Sequence, residues 1–281
     1  GSALCEAPEV GAISFTGSTR TGALIAQQSA ASFKKVSLEM GGKNAAVVFA
    51  DAYNAQASAA QRQHCLDTLV RAAFANQGQV CLCMSRILVQ RDVYDAFRTD
   101  FVERVKALKV GNPRLPDTDQ GAVVSQAHQQ KILDALQTAR VEGGRVLCGG
   151  EALQPEGECQ NGYFIAPTVI EGLGPESQTN QNEIFGPVVT LQPFDTESEA
   201  LALANATRYG LAASVWTRDQ FRIQRLSRTL EAGIIWVNTW MARDLRTPFG
   251  GVKDSGMGRE GGWYAMNFWT EPRNICIAEE A

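Results

Sequence analysis

The sequence predicts an α/β fold on a mixed, largely parallel sheet. Two observations carry that prediction. Apolar runs of strand length alternate with amphipathic helical stretches, the order that parallel strands joined by helical crossovers produce. The composition, 44% hydrophobic and 20% charged over 281 residues, supplies a core sufficient for one large domain or two ordinary ones. No internal repeat or low-complexity segment interrupts the pattern.

Taken in order, residues 12–15 read as a short strand, and Gly17-Ser18-Thr19-Arg20-Thr21-Gly22 as a turn opening onto a helix over 21–31. Residues 36–39 and 45–49 are the next strands, and a long helix is expected over 55–76. Residues 86–90 form a strand, followed by a helix over 93–108 with Phe97, Phe101 and Val105 on one face. A Pro- and Asp-rich loop fills 111–121, and a helix over 125–142 has Ser125 as its N-cap. A strand at 145–148 ends at Gly149-Gly150. Residues 152–162 read as an exposed loop and 163–170 as extended. Strands at 188–191, 211–217 and 234–237 enclose helices over 197–206 and 220–230. The tail over 273–278 reads as a strand whose partner lies far away or in another subunit.

A net charge of -4 argues against nucleic acid or an anionic membrane as the main partner. No apolar run reaches the length of a membrane span, and the first residues lack the basic start and apolar stretch of a signal peptide. The seven cysteines are odd in number and scattered, which reads as reduced thiols in a cytoplasmic protein. Cys81-Leu82-Cys83 has no second close cysteine pair, and the only histidines are His64 and His128, so a metal site is not expected.

Four stretches carry residues suited to chemistry. The Gly17-Ser18 turn follows a strand and opens a helix, where backbone N–H groups and the helix dipole favour an anion; an ordinary strand-to-helix turn has the same features. Asn76-Gln77-Gly78-Gln79-Val80-Cys81 places a thiol after a polar, Gly-containing approach, so Cys81 is either a nucleophile or a buried, inert side chain. Leu38-Glu39-Met40-Gly41-Gly42-Lys43 sets a carboxylate between apolar neighbours at a strand end, suited to a general base or to a surface edge. Glu183-Ile184-Phe185-Gly186-Pro187 is a helix-to-strand turn on local grounds alone.

These stretches, with Pro248-Phe249-Gly250-Gly251-Val252-Lys253-Asp254-Ser255-Gly256, closely resemble the signatures of the aldehyde dehydrogenase superfamily over nearly the whole chain. The resemblance implies Cys81 as nucleophile, Glu39 as general base, and a small-molecule aldehyde as substrate. It implies NAD as cofactor, NADP not being excluded, with Gly17 and Ser18 at the dinucleotide, Glu183 at the nicotinamide ribose and Phe185 beside the nicotinamide. It further implies a remnant of the cofactor domain over 1–42, a catalytic domain over 43–256, a C-terminal segment over 257–281 with an intersubunit strand, and a homo-oligomer. Trp240-Met241-Ala242-Arg243-Asp244-Leu245 resembles the branch acting on muconic semialdehydes. A guanidinium in an aldehyde passage suits a substrate carboxylate, so Arg243 is the expected clamp with Trp240 beside it. Arg246 is the second choice, and an ion pair of Arg243 with Asp244 is the structural alternative.

The chain departs from the family in two ways. Full-length members are nearly twice as long, and the part without counterpart here holds most of the cofactor domain and an asparagine donor to the oxyanion. The interval between Glu39 and Cys81 is also longer than usual, the surplus falling within 52–69 as a helix extension or a bulge. Two function classes follow: an aldehyde-oxidising enzyme, or a folded, catalytically idle fragment or assembly module.

Overall fold

The computed structural model describes residues 1–279 and is organised around two sheets that meet at one edge of the site. The larger has seven strands: β3 (Ala45–Val48), β4 (Arg86–Gln90), β5 (Arg145–Cys148), β8 (Thr168–Glu171), β9 (Val188–Phe194), β11 (Ala212–Trp216) and β12 (Ile234–Val237). Their order across the sheet is β12-β11-β3-β4-β9-β8-β5. Every pairing is parallel except that of β5 with β8, so the expected mixed, largely parallel sheet is present. Strands buried on both faces need no polar alternation, and β3 reads Ala-Ala-Val-Val with all four residues buried.

Successive residues of the central strands face opposite sides. Ala46, Val48, Ile87 and Val89 pack with Leu69 and Phe74 of α4 (Ala59–Phe74) and Phe97 and Phe101 of α5 (Arg91–Lys106). Ala45, Val47 and Leu88 pack with Ala200 of α8 (Glu197–Asn205) and Leu226 of α9 (Gln220–Thr229). A third cluster joins Ile132 and Leu136 of α6 (Gln126–Val141) to Ile170 of β8, and Ser125 caps α6 by accepting from the His128 N–H at 3.2 Å. Short elements complete the chain: α1 (Ser2–Glu6), α7 (Gln178–Gln181), and β10 (Tyr209–Gly210) paired antiparallel with β13 (Val252–Lys253).

The smaller sheet holds β1 (Ala12–Thr16), β2 (Lys35–Glu39) and β14 (Gly256–Met257), with β2 in the middle. β1 is parallel to β2, and β14 runs antiparallel beside it. Helix α2 (Thr19–Ala30) connects β1 to β2. The carboxyl end of β2 runs through Gly41-Gly42-Lys43 straight into the amino end of β3. This short join brings the last residue of one sheet to the first residues of the other, and the site lies there.

Three expectations are corrected. The helix expected over 55–76 is divided: α3 (Ala50–Tyr53) ends early, 54–58 is a loop, and α4 begins after Ser58. Ser58 and Gln61 form a reciprocal capping box, their side chains bonding each other's backbone N–H at 3.2 and 2.8 Å, which fixes the start there. Within the interval expected to hold the surplus, 54–58 is thus a loop ahead of the helix. Residues 152–162 are not all loop, since β6 (Ala152–Leu153) pairs with β7 (Phe164–Ile165). The tail over 273–278 is exposed and has no strand pairing, because no sheet edge among the described residues lies beside it. Ahead of that tail stands an unexpected helix, α10 (Gly262–Trp269), whose Trp263, Tyr264, Met266 and Trp269 are all exposed. Among the described residues no helix is long and apolar enough to cross a membrane.

Candidate active site

Cys81 sits on a turn between α4 and β4, and the backbone leading to it is unusual. Asn76, Gln77 and Gly78 all adopt left-handed angles, with φ of 50, 58 and 68°. For Asn76 and Gln77 this costs on the order of 1–2 kcal/mol each. Gly78 has a second requirement, since a Cβ there would lie 2.0 Å from the Gly186 carbonyl oxygen. The segment is clasped by the loop over 110–124: Gln120 Nε2 donates to the Phe74 carbonyl at 2.9 Å, and Gln79 Oε1 accepts from the Val124 N–H at 3.0 Å. The turn is closed by the Cys83 N–H on the Val80 carbonyl at 2.9 Å.

The carbonyls that follow the thiol are held from outside the turn. Asn44 Nδ2 donates to the Cys81 and Cys83 carbonyls at 2.8 and 2.9 Å, and its Oδ1 accepts from the Ala212 N–H at 3.0 Å. Trp240, expected beside the substrate, is buried, and its indole Nε1 donates to the Leu82 carbonyl at 2.9 Å. Its face meets the Arg71 guanidinium. Trp240 is thus a strut under the Cys81 turn.

Glu39 closes the other side. It is the last residue of β2, 4% exposed, and neither carboxylate oxygen has a hydrogen-bond partner. Burial pushes its carboxyl up to about 7, the Glu260 carboxylate acts the same way, and the Arg259 guanidinium opposes them. Gly250 lets the backbone approach, since a Cβ there would lie 2.6 Å from Glu39 Oε1. The Cys81 thiol is half-buried and pushed up to about 11, by burial first and then by the charges of Glu183 and Glu39. The thiol opens on a small cleft, and the charges of Glu183 and Glu39 act on it there.

Glu183 and Phe185 line that cleft with Gly42, Cys81 and Cys83, around a small space of about 20 Å³. Glu183 Oε1 accepts from the Gly42 N–H at 3.0 Å, and a Cβ on Gly41 would lie 2.0 Å from Glu183 Oε2, so Gly41-Gly42 forms a cradle for that carboxylate. Burial holds the Glu183 carboxyl above its ordinary range, with Gly42, Lys43 and Lys131 acting against that shift. Phe185 adopts a φ of 59°, and its carbonyl accepts from His128 Nε2 at 2.7 Å. Beneath them Lys43 is fully buried; burial lowers its ammonium to about 7, the Arg86 charge acting in the same direction and Glu183 against it.

Gly17 and Ser18 lie at the amino end of α2, on the β1 side of the join. Ser18 Oγ accepts from the Thr21 N–H at 3.3 Å, and the Gly17 N–H donates to the Glu39 carbonyl at 3.0 Å. The turn is thereby tied to the residue carrying the buried carboxylate, and it is exposed.

Arg243 is exposed, with its guanidinium 4.4 Å from the centre of the Phe249 ring, and it lines a cavity of about 130 Å³ shared with Phe249 and Glu260. The structural alternative expected for it does not occur, because Asp244 pairs with Arg246 instead. Among the described residues Arg243 has no carboxylate partner. Sequence reasoning missed Asn44, Glu260 and Arg259. Asn44 follows Lys43 directly in the Glu39 stretch and Arg259-Glu260 follows the Gly256 stretch, so adjacency was the available signal.

The comparisons with known proteins agree with one another. The model described as "Aldehyde dehydrogenase family" matches residues 1–275. A 2-aminomuconic semialdehyde dehydrogenase of Danio rerio is 47% identical over 279 residues, covering 99% of this chain and 56% of that protein. A 2-hydroxymuconic semialdehyde dehydrogenase of Pseudomonas sp. (strain CF600) is 43% identical over 277 residues, covering 99% and 55%. Among solved structures, HpcC from Thermus thermophilus superposes with a TM-score of 0.91 at 38% identity, covering 99% of this chain and 55% of that one. Betaine aldehyde dehydrogenase from Staphylococcus aureus in complex with NAD+ gives 0.87 at 36%, covering 94% and 51%. The chain spans about half the length of the relatives it matches.

Proposed function

The chain belongs to the aldehyde dehydrogenase family, and from that premise we propose that it carries the thiol chemistry of aldehyde oxidation, acting on a semialdehyde that bears a carboxylate. The observation that carries this reading is the pair Cys81 and Glu39: a half-buried thiol under the charge of a buried carboxylate that has no hydrogen-bond partner. An unpartnered buried carboxylate is costly to keep and is free to take a proton.

In this reading the Cys81 thiolate adds to the aldehyde carbon, forming a carbon–sulfur bond and an alkoxide. The Cys81 backbone N–H steadies the alkoxide charge. Bound NAD, or NADP, supplies the acceptor for the hydride that leaves the former aldehyde carbon, and a thioester on Cys81 results. Glu39 then takes a proton from water as the water oxygen attacks the thioester carbon, releasing acid and thiol. A carboxyl at about 7 is partly ionised near neutral pH, which suits a base acting on water. The cradle formed by Gly41 and Gly42 fits a role for Glu183 in holding a ribose hydroxyl, with Phe185 beside the ring and Gly17-Ser18 at the phosphates. The domain division at about residue 42 follows the join between the two sheets.

The semialdehyde class is supported by Arg243, whose guanidinium faces a cavity without a carboxylate partner, and by the names of the relatives. A second reading is favoured by α10, whose Trp263, Tyr264 and Trp269 are exposed: a catalytically idle fragment or assembly module, with that surface covered in a homo-oligomer. The test is NADH production on mixing the purified chain with NAD or NADP and a carboxylate-bearing semialdehyde, with Cys81→Ala as control. Turnover absent from the control supports the enzyme. A folded chain that binds neither dinucleotide and gives no burst rejects an autonomous enzyme and leaves the assembly module.

A further inference from the structure

The geometry points to Asn44 as a positioning residue for the nucleophile: its side chain fixes the peptide units after Cys81 so that backbone N–H groups face the thiol. Asn44 is 3% exposed and uses all its polar capacity. Its amide donates to the Cys81 carbonyl at 2.8 Å and the Cys83 carbonyl at 2.9 Å, and its oxygen accepts from the Ala212 N–H at 3.0 Å. Ala212 opens a central strand, so the amide is anchored to the sheet and not to the turn it holds.

A peptide unit is planar and trans, so its C=O and N–H point in opposite directions. Holding the Cys81 carbonyl against Asn44 therefore turns the Leu82 N–H the other way, toward the Cys81 sulfur. Among the described residues the Cys81 and Leu82 N–H groups have no backbone carbonyl partner, and both are directed at that sulfur. The next unit is held by Trp240 on the Leu82 carbonyl, and the one before β4 by Asn44 again through Cys83. Three successive carbonyls are thus pinned by two distant side chains; the Cys83 and Met84 N–H groups close the turn on the Val80 and Ala72 carbonyls, and those of Cys81 and Leu82 are left for the sulfur.

This arrangement has a use because the other groups around the thiol oppose its ionisation. The carboxylates facing it, Glu39 from β2 and Glu183 from the turn before β9, disfavour a second negative charge, and the neighbouring Cys83 thiol brings no positive one. The oriented N–H groups act in the opposite sense. The inference rests on Cys81 being the reacting thiol and assigns the residue that prepares it.

The test reads the thiol and needs no turnover. Alkylation of Cys81 by iodoacetamide is followed in the full chain by mass spectrometry of its peptide, from about pH 7 to about pH 11, with exposed Cys276 in the same sample as control. Asn44→Ser is expected to lower the Cys81 rate roughly tenfold at any pH below the thiol's own value, the factor for a thiolate losing one N–H donor. The Cys276 rate is expected to be unchanged. Asn44→Thr fills more of the space but is too short to hold both the Cys81 and Cys83 carbonyls, and is expected to act in the same direction. Folded variants with the wild-type Cys81 profile overturn the inference, including an Asn44→Ser chain that merely melts earlier. Should Asn44→Ser not fold, Asn44→Thr alone decides. A chain that oxidises no aldehyde yet shows the shift rejects the proposed function and leaves Asn44 in its role.

Discussion

Replacing Glu39 by Gln should stabilise the chain, beginning above the pH at which the unfolded carboxyl ionises and fully above that at which the native one does. Burial and Glu260 raise the folded-state value from 4.5 to about 7, so the folded protein binds this proton more tightly than the unfolded chain does. The direction follows. Well below 4.5 both states are protonated and the carboxyl costs nothing extra; between 4.5 and about 7 the unfolded chain ionises first, and stability falls as pH rises; above about 7 the full cost of a buried charge is present. At about 1.4 kcal/mol per unit the interval sets a ceiling of roughly 3 kcal/mol. Relaxation of the surroundings about the charge reduces the expected figure to about 1–2 kcal/mol. Gln has nearly the same shape and never ionises. Urea unfolding of wild type and Glu39→Gln across this range, read as the difference between them, isolates the one group. The curves should coincide near pH 4.5 and separate in favour of Gln by about pH 8.5. Parallel curves, or a Gln variant less stable throughout, would refute the assignment of Glu39 as a buried carboxylate without partners.

Three further outcomes are expected. Gly78→Ala must accept a left-handed backbone and a Cβ 2.0 Å from the Gly186 carbonyl, so it should lose at least about 2 kcal/mol of stability, read as a lowered thermal midpoint. Arg243→Gln should raise KM for a carboxylate-bearing semialdehyde by roughly 10- to 100-fold, with little change for an uncharged aldehyde; equal losses on both would remove Arg243 from substrate recognition. Glu39→Gln should keep the first burst of NADH and slow steady turnover by roughly 10²–10⁴-fold, since it removes the base for thioester hydrolysis alone. Loss of the burst itself would place Glu39 in the acylation step as well.

The central strands were legible because of how they are buried. Ala45–Val48 and Arg86–Gln90 are enclosed on both faces, so they survive in the sequence as short apolar runs. The start of α4 was present too, as Ser58 and Gln61 at capping-box spacing, but the Ala-rich stretch before them has good helix propensity and masked it. Helix α10 left no signal, because Gly-Trp-Tyr-Ala-Met-Asn-Phe-Trp is apolar nearly all round and has no periodic face to detect. At the site, Cys81 and Glu39 stand out locally as single residues in distinctive stretches. What joins them does not: Gly256 pairing with Glu39, Glu260 facing it, and Asn44 spanning two carbonyls are contacts between segments far apart in the chain. No local period encodes a contact of that kind. Trp240 shows the complementary failure, since its neighbours read as a substrate passage while its ring turned inward to the backbone of Leu82.

The three left-handed residues ahead of Cys81 also determine the order in which the molecule comes apart on warming. Asn76 and Gln77 hold costly angles only while Gln120, Gln79 and the Gly186 carbonyl confine them, whereas the sheet behind them is locked by its five interior strands. Releasing the short segment recovers backbone energy and exposes little apolar surface, so its local opening lies far below the cost of melting the sheet. The shape of the nucleophile is accordingly the most perishable property of the fold: reactivity at Cys81 should fade several degrees before the strands lose their hydrogen-exchange protection, and return on cooling as long as they have not.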